Sequence, residues 1–380
     1  MHSRSVRAFG LAAFIALAAA CSPAAPSGPP DSGGAASVGP SDTGSGPSIG
    51  PTDGPSPSSL ACTHQFRVGL VGQPGSLADN GYNQSAAAGL DAASAAAPSC
   101  FRTEAVASKT AADAAKDLQA YAEGGYDVVI GVGQSLGDAL GDVAGTHPNV
   151  RFIGVDAAPG PTHDSSWQTN GESLFFAEDQ QGYLAGVLAA LVSHTRNIGV
   201  VGGLLLVPQV ESSVEGFLHG AAATLPGITV QFAYTTSFSD PAQGRAAATA
   251  MIAKGADVIF SSGRATGDGA LLAACKAGVL AIGSDTDQAL SLPAAAPCLI
   301  SSAMKNVTGA LTAALVRLAS GSFTPGFHTD DAASGGILLA PGHDLAGDLS
   351  VANQDSLDAT LRGLADGSLR PNVVIDGKTP

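Results

Sequence analysis

Two carboxylates in the stretch Gly283-Ser284-Asp285-Thr286-Asp287 follow directly on the apolar run Leu280 to Gly283. At the end of a strand, both leave the carboxyl edge of a parallel sheet, the edge where open α/β proteins bind ligands. Carboxylates there accept hydrogen bonds from vicinal hydroxyls such as those of a ribose. A second pair, Tyr82 and Asn83, opens a helix after the polar loop that ends the apolar run Phe66 to Val71. Tyr82 offers a flat apolar face, and Asn83 offers a donor and an acceptor. Taken singly, each of these residues reads as a helix cap or a packed aromatic. Their convergence on one edge is what a binding site needs.

Other motifs carry less. Gly133-Gln134-Ser135-Leu136-Gly137 fits GxSxG and lies between strand and helix, as a hydrolase nucleophile elbow does. A triad built on Ser135 needs an acid and then a histidine; His328 and His343 lie downstream, but no HGG-type oxyanion segment follows an earlier strand. Gly131, Gly133 and Gly137 miss the GxGxxG spacing by one residue, so no dinucleotide cofactor is expected. With no CxxC or Cys/His cluster, no metal is expected either.

The elements that position these residues alternate regularly. Phe66 to Val71, Phe101 to Ala107, Asp127 to Gly133 and Arg151 to Val155 read as strands, separated by helical patterns of ten to fifteen residues. After a looser piece holding the single tryptophan, Trp167, and a long helix from Gln180 to Ser193, the pattern restarts at Ile198. The strand DVVIGVG of the first half is answered by DVIFSSG in the second, each feeding a Gly-containing loop and a helix. Two α/β halves with parallel sheets, later strands crossing between them, describe a bilobal hinged protein with a ligand cleft. The expected division is 63–176 plus 299–326 for one lobe and 177–298 plus 327–375 for the other.

The segments GYNQSAAAGL, DVVIGVG, GYLAGVLAALVS, NIGVVGG, VEGFLHGA, SDPAQGRAAATAMIAKGADVIF and GSDTDQ follow one another in that order. As an ordered set, covering about residues 66–342, they resemble the basic-membrane-protein family of solute-binding lipoproteins, which includes purine nucleoside receptors of ABC transporters. The resemblance implies a type I periplasmic-binding-protein fold, two Rossmann-like lobes around a hinge, and capture of a nucleoside between them for delivery to an ABC permease. It implies no catalysis. Tyr82 stands where the family usually has a Phe stacked on the base, and Phe238 matches a second stacking aromatic. Asp285 matches the ribose ligand. Asp156, Lys305 and Gly267 match a site carboxylate, a site lysine and a glycine where backbone approaches the ligand. One position departs: where the family often has an Asp that bonds the base, this chain has Gln73, whose amide both donates and accepts. The alternatives are a binding protein for a sugar or another small ligand, a serine hydrolase using Ser135, and a receptor lobe that signals to a membrane partner rather than feeding a transporter.

The N-terminus supplies a location. His2, Arg4 and Arg7 precede the apolar run Phe9 to Ala20, which is too short to span a bilayer and reads as a secretory signal. Leu17-Ala18-Ala19-Ala20-Cys21 looks like a bacterial lipobox, although Leu sits one place further out than usual. Residues 1–21 are therefore expected to be a lipoprotein signal ending at a lipidated Cys21. Residues 22–62, rich in Pro, Gly, Ser and Ala, cannot bury enough apolar surface to fold and form a tether with a reach of about 35 Å. The protein is expected on the outer face of the cell membrane, held by its lipid.

A net charge of −15 with only 17 Lys and Arg argues against nucleic acid or anionic lipid as partner. Cys62, Cys100, Cys275 and Cys298 are an even set in an exported chain and suggest two disulfides. Three pairings are possible; Cys62–Cys100 and Cys275–Cys298 are favoured because each pair flanks the start of consecutive strands.

Overall fold

The computed structural model describes residues 60–375 apart from 61, 80, 344, 346 and 348. The signal run, Cys21 and nearly all of the tether lie outside the described residues. Strands β1 (Phe66–Gly72), β2 (Phe101–Ala107), β3 (Val128–Val132), β4 (Arg151–Val155) and β5 (Gly171–Phe176) alternate with helices α1 (Tyr82–Ala96), α2 (Ala111–Glu123), α3 (Gly137–Thr146) and α4 (Asp164–Asn170). Helix α5 (Glu178–Val192) leads into a second series of β6 (Asn197–Leu204), α6 (Pro208–Thr224), β7 (Thr229–Thr235), α7 (Pro241–Ala253), β8 (Val258–Ser262), α8 (Arg264–Ala277), β9 (Leu280–Asp285), α9 (Gln288–Ser291) and β10 (Leu299–Lys305). Helix α10 (Val307–Ala319), strands β11 (Gly326–Asp330) and β12 (Ile337–Leu339) and helix α11 (Val351–Ala365) complete the order.

Two six-stranded sheets result, ordered β11-β5-β4-β3-β1-β2 and β12-β10-β9-β8-β6-β7. Every pairing is parallel except β10 with β12. Central strands such as β3 are buried throughout, which explains their unbroken apolar runs. The first five strands of each series take the same spatial order, so each feature of one lobe has a counterpart in the other.

The chain passes between sheets three times: from β5 into α5, from β10 into α10, and from β11 to β12. The expected division of the lobes needs correction at two strands. Residues 299–305 pair with β9 in the second sheet rather than joining the first lobe, and Gly326–Asp330 pairs with β5 in the first sheet rather than the second. Helix α10 does lie on the first lobe, where Thr308 and Thr312 donate hydroxyl hydrogen bonds to the Ser85 and Gly89 carbonyls of α1.

Helices α5 and α6 approach unusually closely. A Cβ on Gly182 would stand 1.9 Å from the Ser213 carbonyl oxygen, and one on Gly220 would stand 2.1 Å from that of Tyr183. Only glycine permits this contact, which holds the starts of both helices in one position. Disulfides join Cys62 to Cys100 and Cys275 to Cys298.

Candidate functional site

A cavity of about 340 Å³ is lined by residues that follow the carboxyl ends of strands in both sheets. At its polar end the Lys305 ammonium, buried at the second crossing, meets three carboxylates. Its Nζ lies 3.0 Å from Asp156 Oδ2, 2.8 Å from Glu178 Oε1 and 3.6 Å from Asp285 Oδ1. Asp156 follows the fourth strand of the first sheet, and Asp285 ends the fourth strand of the second. Both have left-handed backbone, φ 45° and 66°, a conformation that Asp tolerates better than most residues. The lobes thus extend corresponding acids to one cation.

The surroundings hold this cluster in place. Tyr82 donates its hydroxyl to Asp156 Oδ2, so the aromatic stands behind the acid. Gln181 Nε2 donates to Asp285 Oδ1 at 3.0 Å and to the Ala303 carbonyl at 2.9 Å. Burial by itself would lower the Lys305 ammonium, but Asp156 and Glu178, followed by Tyr82 and Asp285, hold it well above its ordinary value. Burial pushes Glu178 up to about 7, with Lys305 opposing and Asp156 adding to the rise. Burial, then the Asp156 charge, also raises the Tyr82 hydroxyl well above its usual value.

The other end is less polar. Val207, Val210 and Phe238 share it with Gln209 and Arg264. The Phe238 ring lies on Gly203, where an added Cβ would come within 2.2 Å of the ring. The Arg264 guanidinium stands 5.9 Å from the centre of the same ring.

Of the residues singled out by sequence, Asp156, Phe238, Asp285 and Lys305 line this cavity, and Tyr82 supports one of them. Four others do not reach its wall. The Asn83 amide accepts from Gln73 N at 3.0 Å and donates to the carbonyls of Gln73 and Ser76, each at 3.1 Å. It is spent on shaping its own loop. The Gln73 side chain packs against Gly133, where a Cβ would lie 2.7 Å from its Oε1. Gly267 is buried in α8 against the Ser261 hydroxyl. Asp287 caps α9 by accepting from Ala289 N at 3.2 Å, and it bonds His343 Nε2 at 2.7 Å. It lines a second, smaller cavity of about 240 Å³ on the far side of Asp285 and Lys305.

Glu178 and Gln209 were not expected from the sequence. Glu178 nearly obeys the rule that selects Asp156 and Asp285, with only Ala177 between it and the end of β5, but the sequence pattern starts its helix two residues later. Gln134 and Ser135 also line the cavity, in a short 3-10 turn (Gln134–Leu136) that leads into α3. Among the described residues Ser135 has no histidine beside it: His328 bonds the Thr324 carbonyl and His343 bonds Asp287. No cluster of potential metal ligands and no helix long and apolar enough to cross a membrane occurs among the described residues.

Two α/β lobes of matching strand order, crossed three times by the chain and enclosing a polar-and-aromatic cavity, define a solute-binding protein of the type I periplasmic fold. The chain belongs to the family described as ABC transporter substrate-binding protein PnrA-like, whose pattern it matches over residues 66–353. Substrate-binding proteins of ABC transporters work outside the cytoplasm and are not enzymes. It is 33% identical over 164 residues to the ABC transporter nucleoside-binding protein BmpA of Lactococcus lactis, covering 43% of this chain and 44% of that one. It is 31% identical over 209 residues to a CD4+ T-cell-stimulating antigen of Listeria monocytogenes, covering 54% and 56%. The chain thus spans about half the length of these relatives. Among solved structures, an ABC transporter solute-binding protein from Aeropyrum pernix superposes with a TM-score of 0.66 at 21% identity, over 80% of this chain and 92% of that one. That likeness concerns the fold.

Proposed function

We propose that this protein is the lipid-anchored receptor of an ABC importer, capturing a nucleoside between its lobes and passing it to the permease. The observation that carries the reading is the meeting of Asp156 and Asp285, one from each lobe, on Lys305 at one end of a cavity whose other end holds Phe238. Carboxylates and an ammonium suit the hydroxyls of a ribose, and an aromatic ring among valines suits a flat base, whose stacking contributes ~1–3 kcal/mol. A volume of about 340 Å³ falls in the range of small-molecule sites. The nucleoside-binding name of the Lactococcus relative supports the ligand class. A ligand touching both lobes favours the closed arrangement in proportion to the contacts made only there. Cys21 would carry the lipid, and the Pro/Gly/Ser tether would let the lobes hang free of the membrane.

The test is mass spectrometry of the small molecule released when protein purified from cells is denatured, with a melting screen over nucleosides, bases and sugars. A ligand at a hundred times its dissociation constant adds about 2.7 kcal/mol, a clear rise in melting temperature. A nucleoside released, or a rise with nucleosides alone, is the expected result. Because the acidic end could serve a free sugar without help from Phe238, a rise with ribose and none with nucleosides would replace this reading by sugar binding.

A further inference from the structure

Two buried acceptor atoms in the cavity wall have no partner among the described residues: Asp156 Oδ1 and Gln209 Oε1. The first belongs to the acidic end. The second follows β6, next to the strand β7 that leads to Phe238 and on the other side of the sheet's centre from β9 and β10, which end in Asp285 and Lys305. Buried polar atoms are almost always paired, so an acceptor left open in the wall of a binding cavity is available to a donor brought by a ligand or a water.

The backbone that carries Gln209 is rigid. Buried Glu211 accepts from Leu206 N at 2.8 Å, fixing a loop in which Leu206 itself has φ 70°. The glycine-mediated contact with α5 holds the rest of α6. The backbone that presents the carboxamide is thus held in place, as a recognition site requires.

We propose that Gln209 reads the hydrogen-bonding edge of the base, and so determines which nucleosides the site accepts. This rests on the nucleoside reading above. One end of the carboxamide accepts a base N–H while the other donates to the neighbouring ring nitrogen or carbonyl oxygen. The pair forms whichever way the amide is turned, provided that the base offers a donor and an acceptor side by side. Adenine and hypoxanthine both do; unsubstituted purine has no such donor.

Calorimetric titration of the wild type, Gln209→Ala and Gln209→Glu with adenosine, inosine and purine riboside tests this, with melting temperatures to confirm folding. The alanine variant is expected to bind adenosine and inosine roughly tenfold to a hundredfold more weakly, and to weaken purine riboside, which offers only the ring-nitrogen acceptor, by a smaller factor. The size-matched glutamate, which keeps the acceptor but cannot donate, is expected to weaken purine riboside by a larger factor than adenosine and inosine, whose N–H it still accepts. An equal loss for all three ligands, or none for any, overturns the assignment of Gln209 while leaving nucleoside binding intact. A wild type that binds none of them overturns both readings.

Discussion

Asn83 and Gln209 occupy corresponding places. Each carries a carboxamide in the first turn of the helix that follows the opening strand of its lobe. Asn83 makes three hydrogen bonds inside its own loop, whereas Gln209 makes none with any described residue. The acids behave otherwise: Asp156 and Asp285 reach the same ammonium from the two sides. The fold therefore repeats its geometry while assigning its polar groups unevenly. In the first lobe an amide shapes the scaffold; in the second, the equivalent amide is left unspent.

The largest effect is expected where the lobes share a residue. Lys305→Met leaves Asp156 and Glu178 buried without their cation and should cost about 3–5 kcal/mol in chemical unfolding. A loss no larger than that of a surface lysine would show that the acids do not depend on it. Next comes the acidic pair. Asp285→Ala should lower nucleoside affinity on the order of a hundredfold or more in calorimetry, with folding retained; unchanged affinity would remove the ribose from this end. The amides give the sharpest contrast. Asn83→Ala strands the Gln73 N–H and two carbonyls and should cost about 1–3 kcal/mol of stability, whereas Gln209→Ala should cost none. Similar losses from both variants would end the comparison.

The remaining effect is in pH. With Glu178 raised from 4.5 to about 7 mainly by burial, the folded state keeps a proton that the unfolded chain releases. Its contribution to stability is full below pH 4.5 and is lost as pH rises through about 7. Glu178→Gln should flatten the stability profile in that window, measured as unfolding midpoints across pH.

The alternation of strand and helix was legible because each central strand is a short apolar run buried on both faces, such as VVIGV in β3. Acids following strands could be found by the same logic. Three things were not legible. The sheet that β10 or β11 joins depends on partners far away in sequence; β11 is a half-exposed edge strand, GFHTD, with little pattern of its own. The difference between Asn83 and Gln209 lies in whether the adjoining loop consumes the amide, which no local spacing records. Gly267 looked like a place for close backbone approach, and it is one, but its neighbour is Ser261 rather than a ligand.

The third crossing also bears on how the molecule is made. Strands β11 and β12 lie next to each other in sequence yet close different sheets, so neither sheet is whole until residue 339 is available. Phe327 must find Ser173 across about 150 residues, and pairings of such long range slow folding. In a chain delivered from its N-terminus, β5 waits meanwhile as a bare edge, the kind of surface on which unfinished proteins aggregate. A few late residues thus decide when both halves become safe from their neighbours.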